Sequence, residues 1–216
     1  ITDFMQYQRA FRGHLEDHLD PNMEPHDKII IIQEDFKAVG KDLDRREAYK
    51  YIDAIYDYTD KEYENIRRAQ LAELQGKPIE DARLKEKIDL IDEYIASVPL
   101  YPNDVPLYRG FGSRNPDNLQ AFEEAYVNGE IISMSGISSW TSRERTAQNF
   151  LTGKNHVALF ELVSNKTGVS VKHLSGYPGE DEVLFGTNAT YRIIGKSEVD
   201  VRRRGVVTVY KIEEVI

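Results

Sequence analysis

The character of the chain changes once, at Val98-Pro99, and that change constrains the fold more than any other feature. Upstream, apolar residues recur at helical spacing; downstream, short β-rich runs alternate with Gly, Asn, Asp and Pro. Helices first and strands later predict an α+β fold rather than a doubly wound parallel sheet. The expected organisation is a helical lobe over residues 1–98 and a β-rich core over 99–216, together one catalytic domain.

Within the first part, a helix is expected over 2–19, closed by Asp20-Pro21. A second is expected over 27–39, with Asp27 as N-cap and Gly40 as C-terminal cap, although Ile29-Ile30-Ile31-Ile32 also reads as a strand. A third covers 43–58. Thr59-Asp60-Lys61-Glu62 has the form of a capping box and predicts a fresh helix to about Leu74. Pro78 suits the first turn of a last helix to Ser97, where Leu84, Ile88, Ile91 and Ile95 form one face. Strands are expected over 105–111, 131–138, 156–163, 168–173, 182–185, 190–194 and 206–212, and helices over 117–128 and 143–151.

Charge and composition narrow the function. A net charge of -9 over 216 residues disfavours non-specific nucleic-acid binding, which depends on neutralising phosphates. Arg202-Arg203-Arg204 is the only compact basic cluster and reads as a solvated turn. No apolar run reaches the ~18 residues a membrane span needs, so no membrane partner is expected. Having no cysteine, the chain holds neither a disulfide framework nor a zinc-thiolate site. His14 and His18 have i, i+4 spacing, but Leu15 stands where a metalloprotease motif needs Glu, and no metal is expected. The opening Ile1-Thr2-Asp3, without Met or signal peptide, reads as a fragment of something longer.

Four stretches can carry chemistry. Gly176-Tyr177-Pro178-Gly179 turns into Glu180-Asp181-Glu182-Val183-Leu184-Phe185, and strand alternation would aim Glu180 and Glu182 into one space. A solvated acidic turn is the plainer alternative. Leu107-Tyr108-Arg109-Gly110 ends a strand in a forked cation beside a residue that lets a ligand approach the backbone. Such an arginine can also be merely solvated. Ser138-Ser139-Trp140-Thr141-Ser142 precedes a helix that Thr141 and Glu144 could cap. Tyr58 and Tyr63 sit on adjacent helices, where core packing is a sufficient reason for them.

In this order and spacing, the strand arginine, the Ser-x-Thr strand leading to Ala147 and Phe150, and Glu-x-Glu-Val-Leu after a Tyr-x-Gly turn resemble the Arg-Ser-Glu class of mono-ADP-ribosyltransferases. The likeness extends to the binary actin-modifying toxins (iota and vegetative insecticidal type) and related bacterial exoenzymes. Tyr58-Thr59 with Tyr63-Glu64-Asn65-Ile66 looks like that class's Tyr-Thr helix, and Val207-Thr208-Val209-Tyr210 fits its closing hairpin. The resemblance implies the helical lobe packed on two mainly antiparallel sheets. It also implies NAD as substrate, nicotinamide release, and ADP-ribose transfer to an arginine of a target protein.

Residue by residue, it implies that Arg109 binds the NAD phosphates and that the Gly110 backbone holds the carboxamide. Ser139, with Thr141, would position the ribose and Glu182; spacing to Ala147 and Phe150 selects Ser139, whereas counting upstream favours Ser138. Phe150 would stack on nicotinamide beneath a loop over 151–156. Tyr58 and Tyr63 would line the cleft, Tyr177 and Glu180 would recognise the acceptor, and Glu182 would be the catalytic glutamate. Trp140 replaces a usual small residue, Arg67 stands where the toxins have asparagine, and the phosphate arginine is single. Actin, a small GTPase or RNA polymerase are candidate acceptors. The expected setting is secretion or delivery into a target cell's cytosol, with an intracellular phage or bacterial enzyme as the alternative. An NAD glycohydrolase, or a transferase to a nucleic-acid or other non-arginine acceptor, would use the same residues.

Overall fold

Proline starts the first helix of the computed structural model, which describes residue 20 and residues 22–216. α1 (Pro25–Ala38) takes Pro25 in its opening turn, so the helix begins ahead of the expected cap and Asp27 lies inside the first turn. The isoleucine run is helical, not a strand: Ile29, Ile32 and Phe36 share one buried face. Gly40, at φ 85°, ends it. The helix expected over 2–19 lies outside the described residues. α2 (Arg45–Asp57) opens on a capping box that spacing alone did not single out. The Glu47 N–H donates to Asp44 Oδ1 at 2.7 Å and the Asp44 N–H to Glu47 Oε2 at 3.0 Å.

The capping box expected at 59–62 does not form. Tyr58–Glu62 is a turn of π-helix, and the chain passes through it into α3 (Tyr63–Leu74). The Thr59 hydroxyl donates back to the Tyr56 carbonyl at 3.0 Å instead of capping α3. α4 (Ala82–Ser97) is capped by Asp81, which accepts from the Arg83 and Leu84 N–H groups, so Pro78 lies ahead of the helix and not in its first turn. Its face of Ile88, Ile91 and Ile95 is buried as expected, with Leu84 partly buried against it.

Downstream come β1 (Leu107–Ser113), α5 (Asp117–Asn128), β2 (Ile131–Ser133), β3 (Ser138–Thr141), α6 (Glu144–Asn149) and β4 (His156–Leu162). They are followed by β5 (Val169–Ser170), a 3-10 turn at Pro178–Glu180, β6 (Glu182–Phe185), β7 (Thr190–Val201) and β8 (Gly205–Val215). This is the expected α+β fold. The strand expected over 131–138 is broken in two because Ser135 (φ 63°) and Gly136 (φ 129°) turn the chain, and a Cβ on Gly136 would run into the Gln70 side chain. The strand expected over 190–194 continues to Val201 through an irregularity between Ile193 and Gly195.

The chain forms two compact units. The first runs to Pro102 and adds Ser135–Ser138 and Thr167–Thr187; the second takes Asn103–Met134, Ser139–Lys166 and Asn188–Ile216. In the first, Ile32, Phe36, Ile55, Ile66, Ile91 and Tyr94 from the helices share a core with Val169, Val171 and Leu184 of the β5–β6 region. Asp57, at the end of α2, pairs with Lys87 at 2.6 Å and Lys61 at 3.5 Å. In the second, β2-β7-β8-β4-β1-β3 are neighbours in that order, antiparallel except for the parallel β4–β8 pair. Phe111, Phe122, Phe160 and Tyr210 form one aromatic cluster there, and Ala147, Leu151, Leu159, Val207 and Val209 a separate apolar one.

One buried side chain ties the first unit's loops to its helices. Gln70 of α3 accepts the Ile137 N–H at 2.9 Å and donates to the Thr187 hydroxyl at 2.9 Å. Thr187 in turn donates its hydroxyl (2.5 Å) and N–H (2.9 Å) to Asp92 of α4. Burial pushes the Asp92 carboxyl above its ordinary value, and the Thr187 bonds oppose that rise. Gln70→Ala leaves the Ile137 N–H unpaired in the interior, so urea unfolding should show a loss of about 1–3 kcal/mol.

Candidate active site

Along β3, strand alternation separates the two candidate serines. Ser138 and Trp140 are buried on one side of β3; Ser139, half-buried, shares the other side with Thr141. Trp140 tilts against Tyr191, ring centroids 5.6 Å apart, so the bulky middle residue of the motif belongs to the interior. Tyr108 of β1 pairs with Thr141 of β3 in antiparallel sense. The Arg109 guanidinium donates from Nη1 to the Ser139 carbonyl at 2.8 Å, bringing those two predicted residues together through the backbone.

Gly110 has a packing reason of its own. A Cβ there would collide with the Ala147 carbonyl oxygen and meet Phe150 and Leu151 at 3.2 Å, so its bare backbone lets α6 approach β1. Phe150 follows the last turn of α6 with 57% of its surface exposed, an aromatic ring the core does not use. The expected Thr141–Glu144 cap is not made. Arg143 is the N-cap residue and makes no side-chain capping bond, and the Thr141 hydroxyl accepts the Arg143 N–H at 3.1 Å.

In the first unit, Tyr58 is buried and meets Tyr63 edge-on, centroids 5.5 Å apart. The Tyr58 hydroxyl donates to the Ile137 carbonyl at 3.4 Å. Glu182 is the first residue of β6 and is buried; its Oε2 accepts the Ser175 hydroxyl at 3.3 Å. Glu180 is not on the strand. It closes the 3-10 turn, and Asp181, at φ 47°, separates it from β6, so alternation along a strand does not orient the two glutamates together. Glu180 is half-buried, and burial raises its carboxyl above the ordinary value of 4.5. Tyr177 is 52% exposed.

Several residues that organise this loop are not apparent from sequence spacing. Ser175 also accepts the Tyr177 N–H at 3.0 Å, Thr59 Oγ1 accepts the Gly176 N–H at 2.9 Å, and Asp60 accepts the Tyr177 hydroxyl at 3.5 Å. Lys172 pairs with Asp181 at 2.7 Å and staples the loop's two ends. Ser175 and Lys172 were findable from their places just before the Gly-Tyr turn. Thr59 was not, because its spacing mimics a cap. Among the described residues, no group of three or more His, Asp or Glu side chains could hold a metal ion, and no helix is long and apolar enough to cross a membrane.

The family model for the ADP-ribosyltransferase exoenzyme domain matches residues 11–214. The chain belongs to that family. As an ADP-ribosyltransferase it takes NAD as its substrate. No curated protein sequence matches it. Among solved structures, ADP-ribosyltransferase Vis in complex with agmatine is 20% identical, with TM-score 0.61 over 94% of this chain and 91% of that one. Exoenzyme S from Pseudomonas aeruginosa, solved with human 14-3-3 protein beta and carba-NAD, is 18% identical, with TM-score 0.61 over 99% and 88%. The enzymatic component C2-I of the C2 toxin from Clostridium botulinum is 19% identical, with TM-score 0.57 over 77% of this chain and 43% of that component. The likeness to these structures is one of fold.

The transferase's loop therefore hangs on the π-turn through a threonine. Thr59→Val keeps the shape and removes the acceptor for the Gly176 N–H. Amide exchange at Gly176 and Tyr177 should quicken about five- to ten-fold, while exchange in β8 stays unchanged.

Proposed function

We propose that the chain is a mono-ADP-ribosyltransferase that moves ADP-ribose from NAD to an arginine side chain of a protein, releasing nicotinamide. The observation that carries the acceptor class is Glu180: a half-buried carboxylate on an exposed turn, one residue removed from the buried Glu182. Vis, a fold neighbour, was solved with agmatine, which carries the same guanidinium group as arginine.

In this reading Arg109 takes the NAD phosphates and Gly110 offers its backbone to the carboxamide. Ser139 and Thr141 fix the ribose, Phe150 stacks on nicotinamide, and Tyr58 and Tyr63 line the cofactor side. The bond from the anomeric carbon to nicotinamide breaks, its electron pair leaves with nicotinamide, and positive charge builds on the ribose. An ionised Glu182 stabilises that charge. Glu180 and Tyr177 hold the incoming guanidinium; its nitrogen bonds to the anomeric carbon while Glu180 accepts the displaced proton. A guanidinium is otherwise a poor nucleophile, since it stays protonated in water.

The two glutamates therefore separate in kinetics. Glu182→Gln should lower both nicotinamide release and transfer to agmatine by ~10² or more. Glu180→Gln should spare nicotinamide release and abolish transfer; loss of both would break the proposed division. In the wild type, Glu180 protonates at a higher pH than an exposed glutamate because its pKa is raised. Transfer should thus fall as pH falls through a value above 4.5, and nicotinamide release should lack that inflection. An NAD glycohydrolase would release nicotinamide and leave agmatine unmodified. Mass spectrometry of cell lysate incubated with the chain and NAD identifies the acceptor. Actin, a small GTPase and RNA polymerase are the protein candidates in the cytosol of a target cell.

A further inference from the structure

A pocket of about 460 Å³ lies in the second unit, walled by α6 on one side and the β7–β8 turn on the other. Arg145 of α6 and Arg202, Arg203 and Arg204 of the turn line it, with Gln148 and Asn149 as further polar groups and no carboxylate. In a chain of net charge -9, such a concentration of cations around one hollow is not a by-product of composition.

Arg204 already has a structural task. Its guanidinium donates to the carbonyls of Leu151 (3.1 Å), Lys154 (2.5 Å) and Asn155 (3.4 Å), fastening the turn to the segment after α6. Arg145, Arg202 and Arg203 are exposed, and none makes an ion pair among the described residues. Arg203 stands at φ 66°, a backbone position that glycine or asparagine fills with less strain. Like charges held about one cavity repel, and an anion between them reverses the sign of that interaction.

Forked guanidinium donors match phosphate oxygens, and the volume falls in the range of small-molecule sites, roughly 300–1,000 Å³. No aromatic side chain lines the pocket, so it lacks the stacking platforms that single-stranded nucleic acid uses. We propose that this pocket binds an oligophosphate anion, either inorganic or the oligophosphate tail of a nucleotide, gripped by Arg145, Arg202 and Arg203. Through Arg204 the bound anion also steadies residues 151–155. Neither statement depends on the acceptor or on turnover of NAD.

The test is calorimetric titration of the whole chain with inorganic pyrophosphate, ATP and NAD, each at one fixed ionic strength. Pyrophosphate or ATP should bind the wild type, and Arg145→Gln/Arg202→Gln should weaken that binding about ten-fold or more with an unchanged thermal midpoint. Tighter binding of ATP than of pyrophosphate makes the source a nucleotide, and the reverse makes it inorganic. NAD binding should be indifferent to the double variant. Hydrogen exchange over 151–155 should slow when pyrophosphate is added to wild type and not to the variant. Equal affinity in wild type and variant, or no binding at millimolar pyrophosphate, overturns the proposal. So does weakened NAD binding in the variant, which would make the pocket part of the substrate site. A single-stranded RNA oligonucleotide that binds more tightly than pyrophosphate and displaces it would reassign the pocket to nucleic acid. Should the double variant melt early, Arg202→Glu, which alters one exposed side chain, repeats the comparison.

Discussion

The Gln70 amide is the point on which the placement of two loops of the first unit depends. Its carbonyl and its NH₂ face different loops, one leading into β3 and the other leaving β6. Those loops flank Ser139 and Glu182 in sequence. Thr187 can serve only because its hydroxyl has both capacities, accepting from Gln70 and donating to Asp92. Each group in this relay is therefore satisfied in one arrangement, and a buried network of that kind specifies position more strongly than apolar packing, which tolerates sliding. Gly136 completes the device, since any side chain there would occupy the space of the amide.

The π-turn adds a second constraint of the same kind. A cap at Thr59 would have ended one helix and begun another; the π-turn keeps the helical path and leaves the Thr59 hydroxyl oxygen available to a loop remote in sequence. The loop that carries Tyr177 and Glu180 has little apolar surface of its own to bury. Its positions come from polar bonds to Thr59 and Asp60 and from the Lys172–Asp181 pair. Polar anchoring holds the backbone without hiding the side chains, which suits the acceptor contact proposed for this loop.

Legibility in the sequence tracks which forces act locally. The helical stripes, the α5 limits, β6 and the change in character at Val98 depend on periodicity, and they were readable. Local spacing suggests the 59–62 cap, the Thr141–Glu144 cap and the shared face of Glu180 and Glu182, but interactions formed only in the folded chain decide each of them. Thr59 is claimed by Gly176, Thr141 by the Arg143 N–H, and Glu180 is turned off the strand by the left-handed Asp181. Ser175 is marked by its place before the Gly-Tyr turn, but its partners, Glu182 and the Tyr177 N–H, are set only once the chain has folded. The family likeness supplied residue types in order; it did not supply how they are held.

Burial separates the chemistry of the two glutamates in a way that order alone cannot. Glu182 starts a strand whose residues are all buried, where an ionised carboxylate persists only if donors replace the lost water, and the Ser175 hydroxyl is one such donor. A charge so placed is strong toward a developing cation because little solvent screens it. Glu180 has the weaker burial of a turn: enough to raise its affinity for a proton, not enough to remove it from contact with a partner. Under the proposed function, a group that takes a proton from an incoming side chain benefits from that intermediate state, since a fully exposed glutamate is a weaker base and a fully buried one is out of reach. A turn end and a strand start, two positions apart along the chain, thus give two identical side chains different burial, and the proposed division of roles draws on that difference.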